Sequence, residues 1–294
     1  MKKQAFTLIE LSIVLVIIGL IVGGVLVGRD LIEAARVRAV ISENREYTAA
    51  VNTFRSKYNV LPGDLNTQQA TSFGMQPTTR AMAEPTMCVT HGNGLIEVTV
   101  AGGVTSVLGS EGVLLWRDLS SAGMIKGNFT TATDDIPSGL TDADLPGLFP
   151  VSKISSSYWA AAAGGQCGVS IGYDDFFSNA GTNYWYLGAL VTNAGVWSQT
   201  VASGMSPSQA YQIDSKIDDG DPVKGIVRAN NNTLMGFNLS LTQAYGNATF
   251  GSLASLQQTP HCSDLEGYDA FQTVTKYNLD LFPNEPLCNL NIRF

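Results

Sequence analysis

Between Leu11 and Gly28 the chain runs eighteen residues without a charge, most of them branched aliphatic. That length is close to the minimum for crossing the roughly 30 Å hydrocarbon core of a bilayer as a helix. The run is entered through Phe6-Thr7-Leu8-Ile9-Glu10 and left at Arg29. Beyond Arg29 the pattern changes from apolar on every side to apolar on one face. Val37, Val40, Tyr47, Val51, Phe54 and Tyr58 recur at a spacing of three and four, with Asn44 in the same phase. This is the period of a helix that buries one stripe. The two patterns join without a breaker, so they predict one continuous helix over 6–58, about 80 Å long at 1.5 Å per residue. Leu61-Pro62-Gly63-Asp64 supplies the turn chemistry that ends it.

The remainder, 59–294, reads differently. Val98–Val107 and Asn183–Val201 are rich in β-branched and aromatic residues and predict strands. Leu114 to Leu119, followed by Gly123-Met124-Ile125, predicts a short helix ending in a turn. Ala160–Ala163 with Gly164-Gly165 behind it predicts a loop or a short helix. Ser206-Pro207-Ser208-Gln209 places a cap, a proline at the first helical position and a glutamine three residues after the cap. Gly220 and Pro222 punctuate the far end of that helix. With no tandem repeat and no low-complexity linker, one elaborated head is expected rather than two. The fold class is α+β: a long N-terminal helix packed on a β-rich head.

Only 14% of the 294 residues are charged and the net charge is −8. Loss of Lys2 and Lys3 would make it about two units more negative. Affinity for nucleic acid comes chiefly from Lys and Arg on phosphates, so direct nucleic-acid binding is not expected. Cys88, Cys167, Cys262 and Cys288 are an even set beyond a membrane anchor, which in an oxidising compartment reads as two disulfides with three possible pairings. A zinc set from Cys88, His91, His261 and Cys262 is the weaker reading, because the paired ligand spacing is missing.

One carboxylate changes the picture most. Glu10 lies at the entrance of the apolar run, and a charge there is costly in lipid without a partner. A second group, Asp214, Asp218, Asp219 and Asp221, gathers at the predicted C-terminus of the helix after Ser206, where acids oppose the helix dipole. Turn-forming and capping are their plain role. Calcium, which takes several carboxylate and carbonyl oxygens, is the alternative. No Walker loop and no H-E-x-x-H is present, and the protein is expected not to be an enzyme. Asp134-Asp135 and Asp174-Asp175, with Trp159, Trp185 and Trp197 nearby in sequence, leave room for a glycan-binding face or a glycosidase-like site.

The string Lys2-Lys3-Gln4-Ala5-Phe6-Thr7-Leu8-Ile9-Glu10 resembles the leader of type IV pilins and type II secretion pseudopilins. The basic start is short, Glu10 interrupts the apolar run and no small-residue cleavage site follows it, all unlike a secretory signal. The resemblance implies a leader over 1–5 and cleavage between Ala5 and Phe6 by a prepilin peptidase. It also implies methylation of the new N-terminal Phe6, and a role for Glu10 in assembly. It divides the rest into a transmembrane and polymerisation helix, 6–58, and an extracytoplasmic head, 59–294. The implied partners are other subunits of a filament, the inner membrane and an assembly platform. The implied location is the bacterial inner membrane before assembly and a periplasmic or surface filament after it. The likeness also suggests a C-terminal loop closed by Cys262 and Cys288, leaving Cys88 for Cys167, and some pseudopilins carry calcium in their heads. Two departures stand out: Ala5 replaces the usual glycine, and no proline interrupts the apolar run, although Gly19, Gly23 and Gly24 do. A minor or tip subunit with a ligand-binding head, or a signal-anchored exported enzyme, are the competing readings.

Overall fold

The computed structural model describes residues 8–77, 91–97, 99–101, 104–106, 111–129, 141–154, 157–163, 181–192, 199–202, 204–222, 224–231, 262–266, 273–277, 279–280, 283–284 and 286–294. Helix α1 spans Leu8–Tyr58 without interruption, as the unbroken period predicts. Its exit is made by Asn59, in the left-handed region at φ 57°, and by Gly63 at φ 89°. A Cβ on Gly63 would lie 2.4 Å from the Glu111 carbonyl oxygen, so only glycine lets the chain pass this close to the helix that begins at Glu111.

Two short helices follow. Helix α2, Thr67–Ser72, opens with a capping box between Asn66 and Gln69. Helix α3, Glu111–Ser121, matches the helix expected around Leu114–Leu119. Between them the strand-like run from Val98 becomes a hairpin, β1 (Thr99–Ala101) paired with β2 (Val104–Ser106), rather than a single strand. Gly102-Gly103 separates them, a residue pair that tight hairpins favour.

The main sheet is antiparallel, in the order β3 (Tyr158–Ala163), β4 (Asn183–Thr192), β9 (Cys288–Arg293), β6 (Val227–Asn231). Strand β5, Gln199–Ala202, pairs with the outer half of β4. The expected run from Asn183 to Val201 is therefore two strands. Ala160–Ala163 lies in β3, not in a loop or helix. Alanine favours helices in isolation, but here Trp159 and the small side chains fit a buried strand against α3. Packing outweighs propensity.

Helix α4, Pro207–Ile217, carries the anticipated capping box: Gln209 N–H donates to Ser206 Oγ and the Ser206 N–H to Gln209 Oε1. It lies against α1, β6 and β9. The last pair, β7 (Ser263–Glu266) and β8 (Thr273–Tyr277), forms a bulged hairpin. A disulfide between Cys262 and Cys288 ties that hairpin to the first residue of β9. Cys88 and Cys167 lie outside the described residues.

Candidate functional site

Helix α1 is two surfaces in one element. From Leu8 to Ile32 its large apolar side chains are at least half exposed, and no residue of the most apolar window is buried against the head. Among the described residues it is the one helix long and apolar enough to cross a membrane. Gly19, Gly23 and Gly24 have no atom within 4 Å of where a Cβ would stand. Their small size serves nothing within the monomer. In lipid, small residues let helix backbones approach one another. Glu10 is exposed in the first turn, at the end of the dipole that favours a carboxylate. Ala5 and Phe6 lie outside the described residues.

The second half is held by the head. Val37, Val40 and Phe54 are fully buried. Tyr47 is wedged among three tryptophans, with ring centroids 4.9 Å from Trp116, 5.6 Å from Trp159 and 6.2 Å from Trp185. Two of those indoles also bond the helix: Trp159 Nε1 donates to Glu43 at 3.0 Å, and Trp185 Nε1 to Thr48 Oγ1 at 3.0 Å. Nearer the membrane end, Gln209 Nε2 donates to Glu33, joining α4 to the helix. Trp159 and Trp185 each combine a large buried face with a satisfied N–H, so apolar area and geometry act on the same joint; Trp116 contributes its buried ring alone. Trp159 and Trp185 are fully buried, which removes them from any glycan-binding face. Trp197, Asp134, Asp135, Asp174 and Asp175 lie outside the described residues.

A buried polar cluster, not signalled by local sequence, fastens the helix exit. The Asp64 carboxylate accepts the N–H groups of Gly92, Asn93 and Gly94. Asp118 accepts the Gly63 N–H at 2.8 Å. Glu111 accepts the Glu97 N–H and meets His91 Nδ1, each at 2.8 Å. Burial pushes Glu111 up to about 7, against the lowering effect of the His91 contact. With His91 on Glu111 and Cys262 in a disulfide, the zinc set does not form.

The other acidic group does converge in part. Asp214, Asp218 and Asp219 each place a carboxylate oxygen within 4.8 Å of the others. Asp221 turns away to Lys224. Asp214 is buried, accepts from Tyr277 Oη at 2.8 Å and from the Gly220 N–H, and is pushed up to about 7 by burial, with Asp219 and Asp218 adding to the rise. Asp218 accepts the Ile226 and Val227 N–H groups, closing the turn. An oxygen-only donor set of this kind fits a hard cation such as calcium, while the bonds already made fit the plainer capping role.

One catalytic spacing is easily overlooked: Gly168-Val169-Ser170-Ile171-Gly172 follows Gly-x-Ser-x-Gly. That pattern carries meaning only at a strand-to-helix elbow with a histidine and an acid in reach. It lies outside the described residues, and of the two histidines in the chain His91 is bound to Glu111.

Residues 1–26 match the prokaryotic N-terminal methylation motif, the prepilin leader of type IV pilins and pseudopilins. Neither a curated protein nor a solved structure matches the chain.

Proposed function

We propose that this chain is a structural subunit of a type IV pilus or a type II secretion-like pseudopilus. It inserts as a single-span precursor, is cut between Ala5 and Phe6, is methylated at Phe6, and polymerises through α1. The observation that carries this reading is the division of α1. One half is fixed to the head by three tryptophans, while the other leaves its apolar side chains exposed and lies for most of its length within the methylation motif.

In the bilayer the exposed half of α1 rests in lipid. Moving it among neighbouring helices brings no hydrophobic gain, because lipid tails are as apolar as leucine; close packing and polar pairing must drive association instead. Gly19, Gly23 and Gly24 supply close approach. Glu10 supplies the pairing: removal of Met1–Ala5 creates an α-amine at Phe6, and a neighbour's amine beside Glu10 would neutralise both charges and set the axial register. This chain's proposed role involves no catalysis. The head is turned outward, and calcium held by Asp214, Asp218 and Asp219 would brace the turn after α4. A rise in melting temperature with millimolar calcium, lost in Asp219→Asn, would support that ion; identical melting with and without calcium would remove it. The subunit reading itself is tested by intact-mass analysis of membrane-extracted protein. Loss of Met1–Ala5 and gain of one methyl group is expected. An uncut Met1, or a mature terminus near Arg29, would overturn it.

A further inference from the structure

The exposed side of α1 beyond the membrane carries a charge pattern that the head does not answer. From Arg29 to Tyr58 the helix holds four acids and six bases. Two of the acids are turned inward and engaged by the head: Glu33 accepts from Gln209, and Glu43 from Trp159 and Ser152. All six bases, five of them arginine, are exposed. Arg36 has Glu33 at 3.8 Å, and Asp30 and Glu46 remain as the exposed acids. Arg38, Arg45 and Arg55 form no ion pair with any described residue. Arg38 and Arg45 are seven residues apart, so they share one face about 10 Å apart along the axis, roughly opposite the buried stripe of Val37, Val40, Val51 and Phe54.

The head is charged the other way. Residues 59–294 hold twenty acids and nine bases, and Asp142, Asp144, Asp218, Asp219 and Asp280 are exposed among those described. We infer that the Arg38–Arg45 face of α1 is the docking surface for the acidic head of a second copy of this chain. Three arguments favour that occupant. Arginine's planar fork pairs with carboxylates in a fixed geometry, and arginine is enriched in protein interfaces. Lipid is out of reach at Arg45, which lies seventeen residues past the end of the apolar run at Gly28. That is about 25 Å along the axis, whereas headgroups add only several ångströms to each side of the core. Finally, the two complementary surfaces lie on different parts of one chain. A contact between them is heterologous, and a heterologous contact that does not close on itself builds an open helical polymer rather than a dimer.

This inference rests on the subunit reading above and adds to it the contact that orders the heads. It is tested in cells making full-length protein, with filament yield measured after shearing. Arg38→Glu with Arg45→Glu should lower the yield at least tenfold while leader processing and head melting stay unchanged. Arg38→Lys with Arg45→Lys, which keeps the charge, should retain most of it. A photo-crosslinking residue at Ser42, between the two arginines, should join subunits in wild-type filaments, with the linked peptide in an acidic segment of another copy's head. Normal filament yield from the glutamate pair would overturn the inference and leave the subunit reading intact. So would crosslinks to phospholipid alone or to the α1 helix of another copy alone. Absence of any wild-type filament containing the chain would instead overturn the subunit reading and this inference with it.

Discussion

Phe54→Ala is the sharpest probe of the joint between helix and head. Phe54 is fully buried on α1 and packs on Tyr58 with ring centroids 4.6 Å apart. Tyr58 in turn meets Phe73 at 4.8 Å, so the ring chain runs from the helix into the head. Truncating a buried phenylalanine to alanine costs about 3–5 kcal/mol, from lost transfer energy and the cavity left behind. For a folded unit of this size each kcal/mol lowers the melting temperature by roughly 2–4 °C, so a fall on the order of 10 °C is expected. Leu26→Ala removes an equally apolar group from the half that touches nothing, where Leu26 is 57% exposed. It should leave the melting of the detergent-solubilised monomer within about 1 °C of wild type, since surface substitutions are near neutral. Tryptophan fluorescence is the natural assay, because Trp116, Trp159 and Trp185 all surround Tyr47 on the same helix. A Phe54→Ala protein that melts with wild type, or a Leu26→Ala protein that falls as far, would refute the division of α1 into a clasped half and a free half.

Glu111 makes stability depend on pH. Its carboxyl is raised from 4.5 to about 7 in the folded head, mainly by burial, so the folded state holds a proton that the unfolded chain has released. That contribution is complete below about 4.5 and lost as pH rises through about 7. Melting temperature should accordingly fall between pH 5 and pH 8, and Glu111→Gln should flatten the slope; an unchanged slope in that variant would assign the effect elsewhere. Glu10→Val should leave the monomer inserted and the head melting as wild type, because an apolar side chain sits more easily in lipid. It should nevertheless abolish or strongly reduce filaments, since a neighbour's amine would then enter the core unpaired at a cost of several kcal/mol. Equal filament yield at equal expression would remove Glu10 from assembly.

The parts of this structure that were legible in the sequence are those fixed by neighbours along the chain. Helix α1 and its stripe follow from an uninterrupted period, and the Ser206–Gln209 box from four consecutive residues. Ala160–Ala163 was not legible, because only the tertiary setting of β3 makes a strand of four alanines. The Asp64 and Glu111 cluster was equally hidden. Its partners lie 14 to 30 residues away, and nothing in the local pattern distinguishes an acid that cradles backbone N–H groups from a solvated one. Of the acidic set at the C-terminal end of α4, the spacing brought Asp214, Asp218 and Asp219 together, whereas Asp221 follows its own turn to Lys224. Trp159 and Trp185 show the limit of composition: the same residues that suit a glycan face become, when buried, the clamp on α1.

The role proposed for this chain is that of a repeating building block of a fibre. Immunogold electron microscopy of sheared surface or periplasmic fibres, using antibody to the head and mass spectrometry of the fibre band, tests it most directly. Label along the whole fibre is expected, with a band dominated by this chain beginning at methylated Phe6. Unlabelled fibres, with the protein recovered only from the membrane, or label confined to fibre tips, would contradict it.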